Sequence, residues 1–257
     1  MKFEINNRKN QKIVVLLEKV ENQKGLVFVM HGLGGFKEQL HIQAFAEAFL
    51  EEGFTVVRFD TTNTFGESEG NYENATTTNY YEDLEDVIKW ASSQEWYEEH
   101  FWLIGHSLGG ISTALYAENY PEKVVAVAPI STVVSGKLTL ETDREEIKNW
   151  KETGWRITES KSKQGLIKRL PWSHMEDRIK YNLLLRADKL MMPVLLIVGS
   201  EDDTTLLKHQ QILFDKLPGE KEMHVIEGAG HTFREKEHLE TIKHILKHWI
   251  EKINKKE

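Results

Sequence analysis

Apolar, β-rich segments recur along the chain at Ile13–Leu17, Leu26–Met30, Phe54–Phe59, Phe101–Ile104, Val124–Ile130, Val194–Val198 and His224–Ile226. Several are continuous rather than alternating, the pattern of strands buried on both faces. Helical spacing lies between them. Leu40, Phe45 and Phe49 share one segment, which Gly53 closes as the residue beyond the cap. Tyr81, Leu84, Val87, Ile88 and Ala91 form a second stripe. Leu239, Ile242, Leu246, Trp249 and Ile253 form a third, on a last helix whose terminal lysines complement the helix dipole. Strands alternating with helices predict a mostly parallel α/β sheet. The first segments join without a helix, so an antiparallel start is expected.

One region breaks the rhythm. Between the strand ending near Ile130 and the one opening at Val194 lie charged helical stretches, Asp143–Lys151 and Glu176–Lys189, together with Trp150, Trp155 and Trp172. A structureless loop of this length is unusual in a compact domain. The expected organisation is a core of residues 1–130 and 189–257 with an inserted cap, or lid, over 131–188. The cap tryptophans have two readings: they bury the cap on the body, or they line a pocket for an acyl or aromatic group.

The candidate chemistry centres on Gly105-His106-Ser107-Leu108-Gly109, which reads G-x-S-x-G between the apolar run Phe101–Gly105 and a helix-like run from Ile111 to Tyr120. Pro121 stops that helix. Strand, glycine-flanked serine and helix form the context of a nucleophile elbow. The serine must sit on a turn so sharp that its hydroxyl stands clear of the backbone. A Cβ at either flanking position would collide with the neighbouring strand or helix. Order along the chain strengthens the reading, because the triad of such a fold runs Ser, then acid, then His. A candidate acid follows the late strand in Pro193-Val-Leu-Leu-Ile-Val-Gly-Ser-Glu-Asp202, with Asp203 as its rival. A candidate histidine, His231, follows the last strand in Val225-Ile-Glu-Gly-Ala-Gly230-His231. Both lie beyond strand ends, where open α/β sheets place their sites. Asp60 also ends a strand and is an acid candidate for a rearranged triad, although loop structure is its expected role.

These pieces, with His31-Gly-Leu-Gly-Gly35 and in the right order, resemble the serine esterases and lipases of the α/β-hydrolase superfamily. The nearest resemblance is to small cytoplasmic carboxylesterases of the cinnamoyl or feruloyl esterase and monoacylglycerol lipase type. It implies an α/β-hydrolase fold, helices on both faces of the sheet, and an inserted cap. It implies Ser107 as nucleophile and His231 as base and then acid. Asp202 orients the imidazole, since it stands three residues after Gly199 where the family pattern places the acid. An oxyanion hole needs backbone N–H donors. One is Leu108, the residue after the nucleophile; the family pattern assigns the other to Leu33. His31 and His106 are expected to shape the oxyanion loop and the elbow. The sequence departs from the family in one loop, Asp60-Thr-Thr-Asn-Thr-Phe-Gly-Glu-Ser-Glu-Gly70. It is longer than the Asp-x-x-Gly-His-Gly-x-Ser stretch and lacks its histidine, which weakens any transfer of substrate class.

The expected activity is cofactor-free hydrolysis of small to medium acyl or aryl esters through an acyl-enzyme. The same machinery also serves a peptidase, aminopeptidase or thioesterase, and a non-catalytic ligand-binding protein is the alternative from another class. Dehalogenases and epoxide hydrolases are disfavoured, because those relatives carry aspartate at the elbow. No metal is expected: His244 and His248 stand four apart on the last helix but lack the glutamate of H-E-x-x-H and fall on its wet side.

Composition narrows the partners. The 257 residues carry a net charge of −8, with basic residues scattered among acids, which argues against nucleic acid or an anionic membrane as partner. There is no cysteine, hence no disulfide, thiolate nucleophile or Cys-type zinc site. The first residues lack the apolar stretch of a signal peptide, and no run approaches the roughly 18 apolar residues of a membrane span. A cytoplasmic location and a small-molecule ester substrate are the expectations, with monomer and homodimer both open.

Overall fold

The computed structural model describes residues 1–142, 144–160 and 165–255. Ten strands and eight α-helices alternate in the order β1 (Lys2–Asn6), β2 (Lys12–Glu18), β3 (Gly25–Met30), α1 (Leu40–Glu51), β4 (Phe54–Asp60), α2 (Thr77–Ala91), β5 (Phe101–His106), α3 (Leu108–Asn119) and β6 (Val124–Ile130). The chain continues through α4 (Gly136–Leu140), α5 (Glu145–Thr153), β7 (Trp155–Glu159), β8 (Ile167–Pro171), α6 (Ser173–Arg178), β9 (Val194–Gly199), α7 (Leu207–Lys216), β10 (Lys221–Ile226) and α8 (Lys236–Asn254).

Eight strands form one sheet in the order β1-β2-β4-β3-β5-β6-β9-β10. Only β1–β2 and β2–β4 pair antiparallel; every other neighbour is parallel. The antiparallel start is therefore present, but β2 pairs with β1 and β4 rather than with β3. This is the mostly parallel α/β sheet that the alternation of strands and helices predicts, in the α/β-hydrolase architecture that the motif resemblance implies.

The continuous apolar runs have a direct cause. Along β3, Val27 and Val29 face a core shared with Ile42, Phe45 and Phe49 of α1 and Ile242, Leu246 and Trp249 of α8. Leu26, Phe28 and Met30 face the opposite core, with Leu84 and Val87 of α2 and Ile111 and Ala114 of α3. A strand covered on both faces has no wet side, so polar alternation disappears. Leu40 departs from its expected stripe and is 63% exposed, because it sits at the first position of α1 and points off the packed face.

The segment between β6 and β9 is part helix and part ribbon. The expected helix near Asp143–Lys151 is α5; Asp143 itself lies outside the described residues, as does Lys256 among the terminal lysines. The stretch Glu176–Lys189 is not one helix. Only α6 is α-helical, and single 3-10 turns follow at Leu183–Leu185 and Ala187–Lys189. The antiparallel pair β7–β8 was not anticipated at all. Trp150 is buried, edge-on to Trp172 and stacked on His174, while Trp155 is 36% exposed. These ring contacts of Trp150 thus lie within the segment itself, and Trp150, Met175 and Leu183 belong to the apolar cluster that also holds Met30 and Leu84 of the body. Among the described residues, no helix is long and apolar enough to cross a membrane.

Candidate active site

Ser107 stands between the end of β5 and the start of α3 with φ 56° and ψ −111°, left-handed backbone that a residue with a Cβ rarely adopts. The flanking glycines make the turn possible. A Cβ on Gly105 would lie 2.4 Å from the carbonyl oxygen of Gly109, and one on Gly109 would lie 2.4 Å from that of His31. One glycine lets α3 close on its strand and the other lets α3 close on the end of β3. The Ser107 amide is held by the carbonyl of Ile130 at 2.9 Å, and its side chain remains at a 7% exposed surface.

The structure brings Ser107, His231 and Asp202 together from three separate loops. His231 Nε2 lies 2.9 Å from Ser107 Oγ, and its Nδ1 lies 2.9 Å from Asp202 Oδ2 and 3.1 Å from Oδ1. A carboxylate only accepts, so Nδ1 carries the proton and Nε2 is free to receive one from the serine. The amides of Thr204 and Thr205 donate to Asp202 Oδ1 at 2.9 and 2.8 Å, and Thr205 Oγ1 lies 2.8 Å from Oδ2. Burial opposes ionisation of Asp202. The hydrogen bond and charge of His231, with the bonds from Thr205, outweigh it and hold the carboxyl well below the usual carboxylate range. Asp203 is exposed, and its carboxylate faces only the hydroxyl of Thr204. Asp60 is buried elsewhere, bound to the amide and ammonium of Lys37 and the amide of Glu67.

The acid and base loops are tied to each other. The Ser200 amide donates to Ile226 O, the Glu201 amide to Ala229 O, and the Gly228 amide to Ser200 Oγ, at 3.0, 3.0 and 2.9 Å. Their parent strands, β9 and β10, are parallel neighbours.

The amides of Leu33 and Leu108, the expected oxyanion donors, donate to no acceptor among the described residues. Leu33 lines the same cavity as Ser107 and His231. Its loop is fixed by Tyr80, which the sequence did not single out for this purpose, and by His31, which it did. The hydroxyl of Tyr80, buried on α2, accepts from the Gly34 amide at 3.1 Å and donates to Gly32 O at 3.2 Å. Tyr80 carries a helical-period signal, but only the fold shows which loop it reaches. His31 accepts at Nε2 from the Thr61 amide at 3.1 Å and donates from Nδ1 to Gly32 O at 2.8 Å. Burial lowers its pKa, which matches a neutral ring with this tautomer. His31 thereby joins the oxyanion loop to the divergent stretch after Asp60. His106 packs against His231, with ring centroids 4.8 Å apart. Burial and the neighbouring His231 push it down to about 3, so it too is neutral.

The cavity in front of Ser107 holds about 850 Å³. Its walls include Gly34 and Tyr72 from the body and Val133, Arg156, Lys168 and Arg178 from the segment between β6 and β9. None of the three cap tryptophans is among the lining residues. His244 and His248 are exposed on α8, away from this cavity.

Comparison with known proteins bears on the family and the fold. Residues 21–180 match the family described as serine aminopeptidase, S33. An uncharacterised 31.7 kDa protein from the traX-finO intergenic region of Escherichia coli is 26% identical, over 80% of this chain and 82% of that protein. The mitochondrial palmitoyl-protein thioesterase ABHD10 of Bos taurus is 25% identical, over 90% of this chain and 74% of its own. In structure, Est1E from Butyrivibrio proteoclasticus with bound ferulic acid superposes with a TM-score of 0.83 at 20% identity, covering 97% of this chain and 98% of that one.

Proposed function

The chain belongs to the serine aminopeptidase S33 family of α/β-hydrolases, and from that premise we propose that it is a cofactor-free serine carboxylesterase acting on small to medium acyl or aryl esters. The observation that carries the reading is the unbroken line from Ser107 Oγ through His231 to Asp202, with 2.9 Å at both joints.

The chemistry follows from that line. A hydroxyl is a poor nucleophile until a base takes its proton, and His231 Nε2 is placed to take it as Ser107 Oγ attacks the carbonyl carbon. The imidazolium that results is stabilised by ionised Asp202. The carbonyl oxygen becomes an oxyanion held by the amides of Leu33 and Leu108; one such donor is typically worth roughly 10²–10³ in rate. His231 then gives its proton to the departing alkoxide, leaving Ser107 acylated. Water attacks the acyl-enzyme by the same route in reverse, releasing the acid and restoring the serine.

Residues 131–188 act as the cap that closes the acyl site. The polar lining of the cavity favours short or polar groups over long aliphatic chains. Thioester hydrolysis is the second reading, favoured by the palmitoyl-protein thioesterase among the relatives. Peptidase activity follows only from the family's description.

The test pairs labelling with turnover. A fluorophosphonate probe should label the wild-type protein and not Ser107→Ala. Among p-nitrophenyl esters of graded chain length, methyl ferulate, palmitoyl-coenzyme A and an aminoacyl-anilide, the short esters should turn over fastest. Labelling that persists in Ser107→Ala, or anilide turnover above that of every ester, would overturn the proposal.

A further inference from the structure

The cavity that opens onto Ser107 has its charges sorted by depth. Its acidic lining residues, Glu146, Glu159, Glu201, Asp203 and Glu235, are all exposed at the rim. Of its cations, Arg234 is exposed, Arg144, Arg156 and Lys168 are half-buried, and Arg178 is 7% exposed. The acids of the lining thus stay at the rim, while its buried and half-buried lysine and arginine charges lie further in.

Arg178 is the deepest of them, and it has no acid partner within ion-pair distance among the described residues. Its Nη2 donates to His174 Nε2 at 2.8 Å, and His174 in turn donates from Nδ1 to Ala75 O at 2.7 Å. That chain fixes a neutral histidine that holds the guanidinium without neutralising it. The Nε of Arg178 is buried with no hydrogen-bond partner. The adjacent carboxylate, Asp177, is engaged by Thr78 and Lys180 instead. Burial, then the charge of Arg156, pushes Arg178 down to about 10, which leaves it charged at neutral pH.

Lys168 shares this state. It descends from β8 over the ring of Phe65, 5.4 Å from the centroid, and its Nζ comes within 3.4 Å of where a Cβ on Gly34 would stand. The ammonium therefore sits beside the loop that carries Leu33. No carboxylate lies within ion-pair distance of it among the described residues, and burial with the charges of Arg156 and Arg234 lowers its pKa. Arg156 does have a partner, Glu146, but at 3.6 Å and with a carboxylate that is 56% exposed.

Cations gathered in one partly dry cavity without counter-ions are costly unless an anion completes them. A guanidinium fork and a point-charge ammonium that line the same cavity, each close to the charge of Arg156, suit the oxygens of a carboxylate or phosphate. We infer that Arg178 and Lys168, flanked by Arg156, form an anion subsite that selects esters carrying an acidic group apart from the scissile carbonyl. The inference rests on the esterase reading for its consequence in turnover, but binding of an anion tests it independently.

Two measurements separate the two claims. The first is calorimetric binding of hexanedioate and hexanoate, dianionic and monoanionic product analogues of equal chain length. Hexanedioate should bind about tenfold more tightly or better. That preference should shrink in Arg178→Gln and in Lys168→Gln; the lysine variant, at a partly exposed site, covers the case in which the arginine variant does not fold. The second compares kcat/KM for matched chromogenic esters: p-nitrophenyl hemiadipate against p-nitrophenyl hexanoate, with the acid on the acyl side, and 4-acetoxybenzoate against its methyl ester, with the acid on the leaving group. At least one anionic ester should exceed its neutral counterpart, by a ratio that falls with added salt and in either variant. Equal affinity for the two analogues, or a binding preference that survives both substitutions, overturns the subsite even if neutral esters are hydrolysed. Preferential hexanedioate binding without hydrolysis of any ester overturns the esterase reading and leaves the subsite standing.

Discussion

His106 donates its Nε2–H to the main-chain carbonyl of His231 at 2.7 Å, so the elbow grips the base by its backbone as well as by its imidazole. The two rings tilt against each other, and His41 packs on the far side of His106 with centroids 4.5 Å apart. His106 touches no reacting atom and acts by positioning. Replacing it with phenylalanine keeps a ring in place but loses the donor. The expected result is a fall in kcat of about 10–100-fold with KM within about twofold, because misplacement affects the proton transfer more than binding. Fluorophosphonate labelling should slow in proportion. A loss confined to KM would contradict the positioning role.

Tyr80 fixes the oxyanion loop through one oxygen that serves both Gly32 and Gly34. In Tyr80→Phe the Gly34 amide loses its acceptor while the packing of the ring is kept. Stability should fall by about 1–2 kcal/mol, the usual effect of unpairing a buried polar group. Loosening of the Leu33 amide should lower kcat by about tenfold as well. Thermal melting and steady-state kinetics on the same preparation check both. Unchanged kcat in a destabilised variant would remove Tyr80 from the oxyanion argument.

Acidification should silence the enzyme through a single group. Asp202 is held ionised far below the working range, so it adds no step of its own to the acid limb, which is left to the one proton that a general base must be free of. The logarithm of kcat/KM should therefore fall on the acid side with a slope of one. A slope of two would show a second essential ionisation within the range and would contradict a permanently charged Asp202.

Glu118 offers a test of stability away from the site. It is buried on α3 with Oε1 unpaired, and the guanidinium of Arg186 bonds to its main-chain carbonyl at 3.0 Å. Burial, only partly offset by the charge of Arg186, raises the carboxyl from 4.5 to about 8. Between those values the folded state holds a proton that the unfolded state has released. Stability accordingly falls as pH rises through this window and levels off above it. Glu118→Gln removes the ionisation. Its melting temperature should exceed that of the wild type by more at about pH 8 than at about pH 5. Equal differences at both values would show that the carboxyl is not raised.

The parts legible in the sequence were those with local, directional signals. Ser107 announced itself because only glycine fits at Gly105 and Gly109, and Asp202 and His231 because each closes a strand with a glycine-rich turn. The long strands were legible because burial on both faces leaves them without polar positions. The ribbon β7–β8 was not, since Trp155-Arg-Ile-Thr-Glu159 is mostly exposed and β8 buries Leu170 alone, too little to impose a period. The terminal strand β1 is equally short, and only Ile5 in it is buried. Glu176–Lys189 has the composition of a charged helix, but Asn182 caps a new turn with its side chain and breaks it. The charge sorting of the cavity was invisible for a different reason. Arg178 and Glu176 are both charged residues of one short helix, and only the packed structure decides which of them turns inward.

Ser200 and Gly228 clasp the acid and base loops to each other, and His106 Nε2 ties the base loop to the elbow through the carbonyl of His231. Three loops far apart in sequence are thereby braced through groups other than the side chains proposed to react. Substituting Ser107, Asp202 or His231 singly leaves these braces in place, so each variant should keep the scaffold of the site while losing its chemistry.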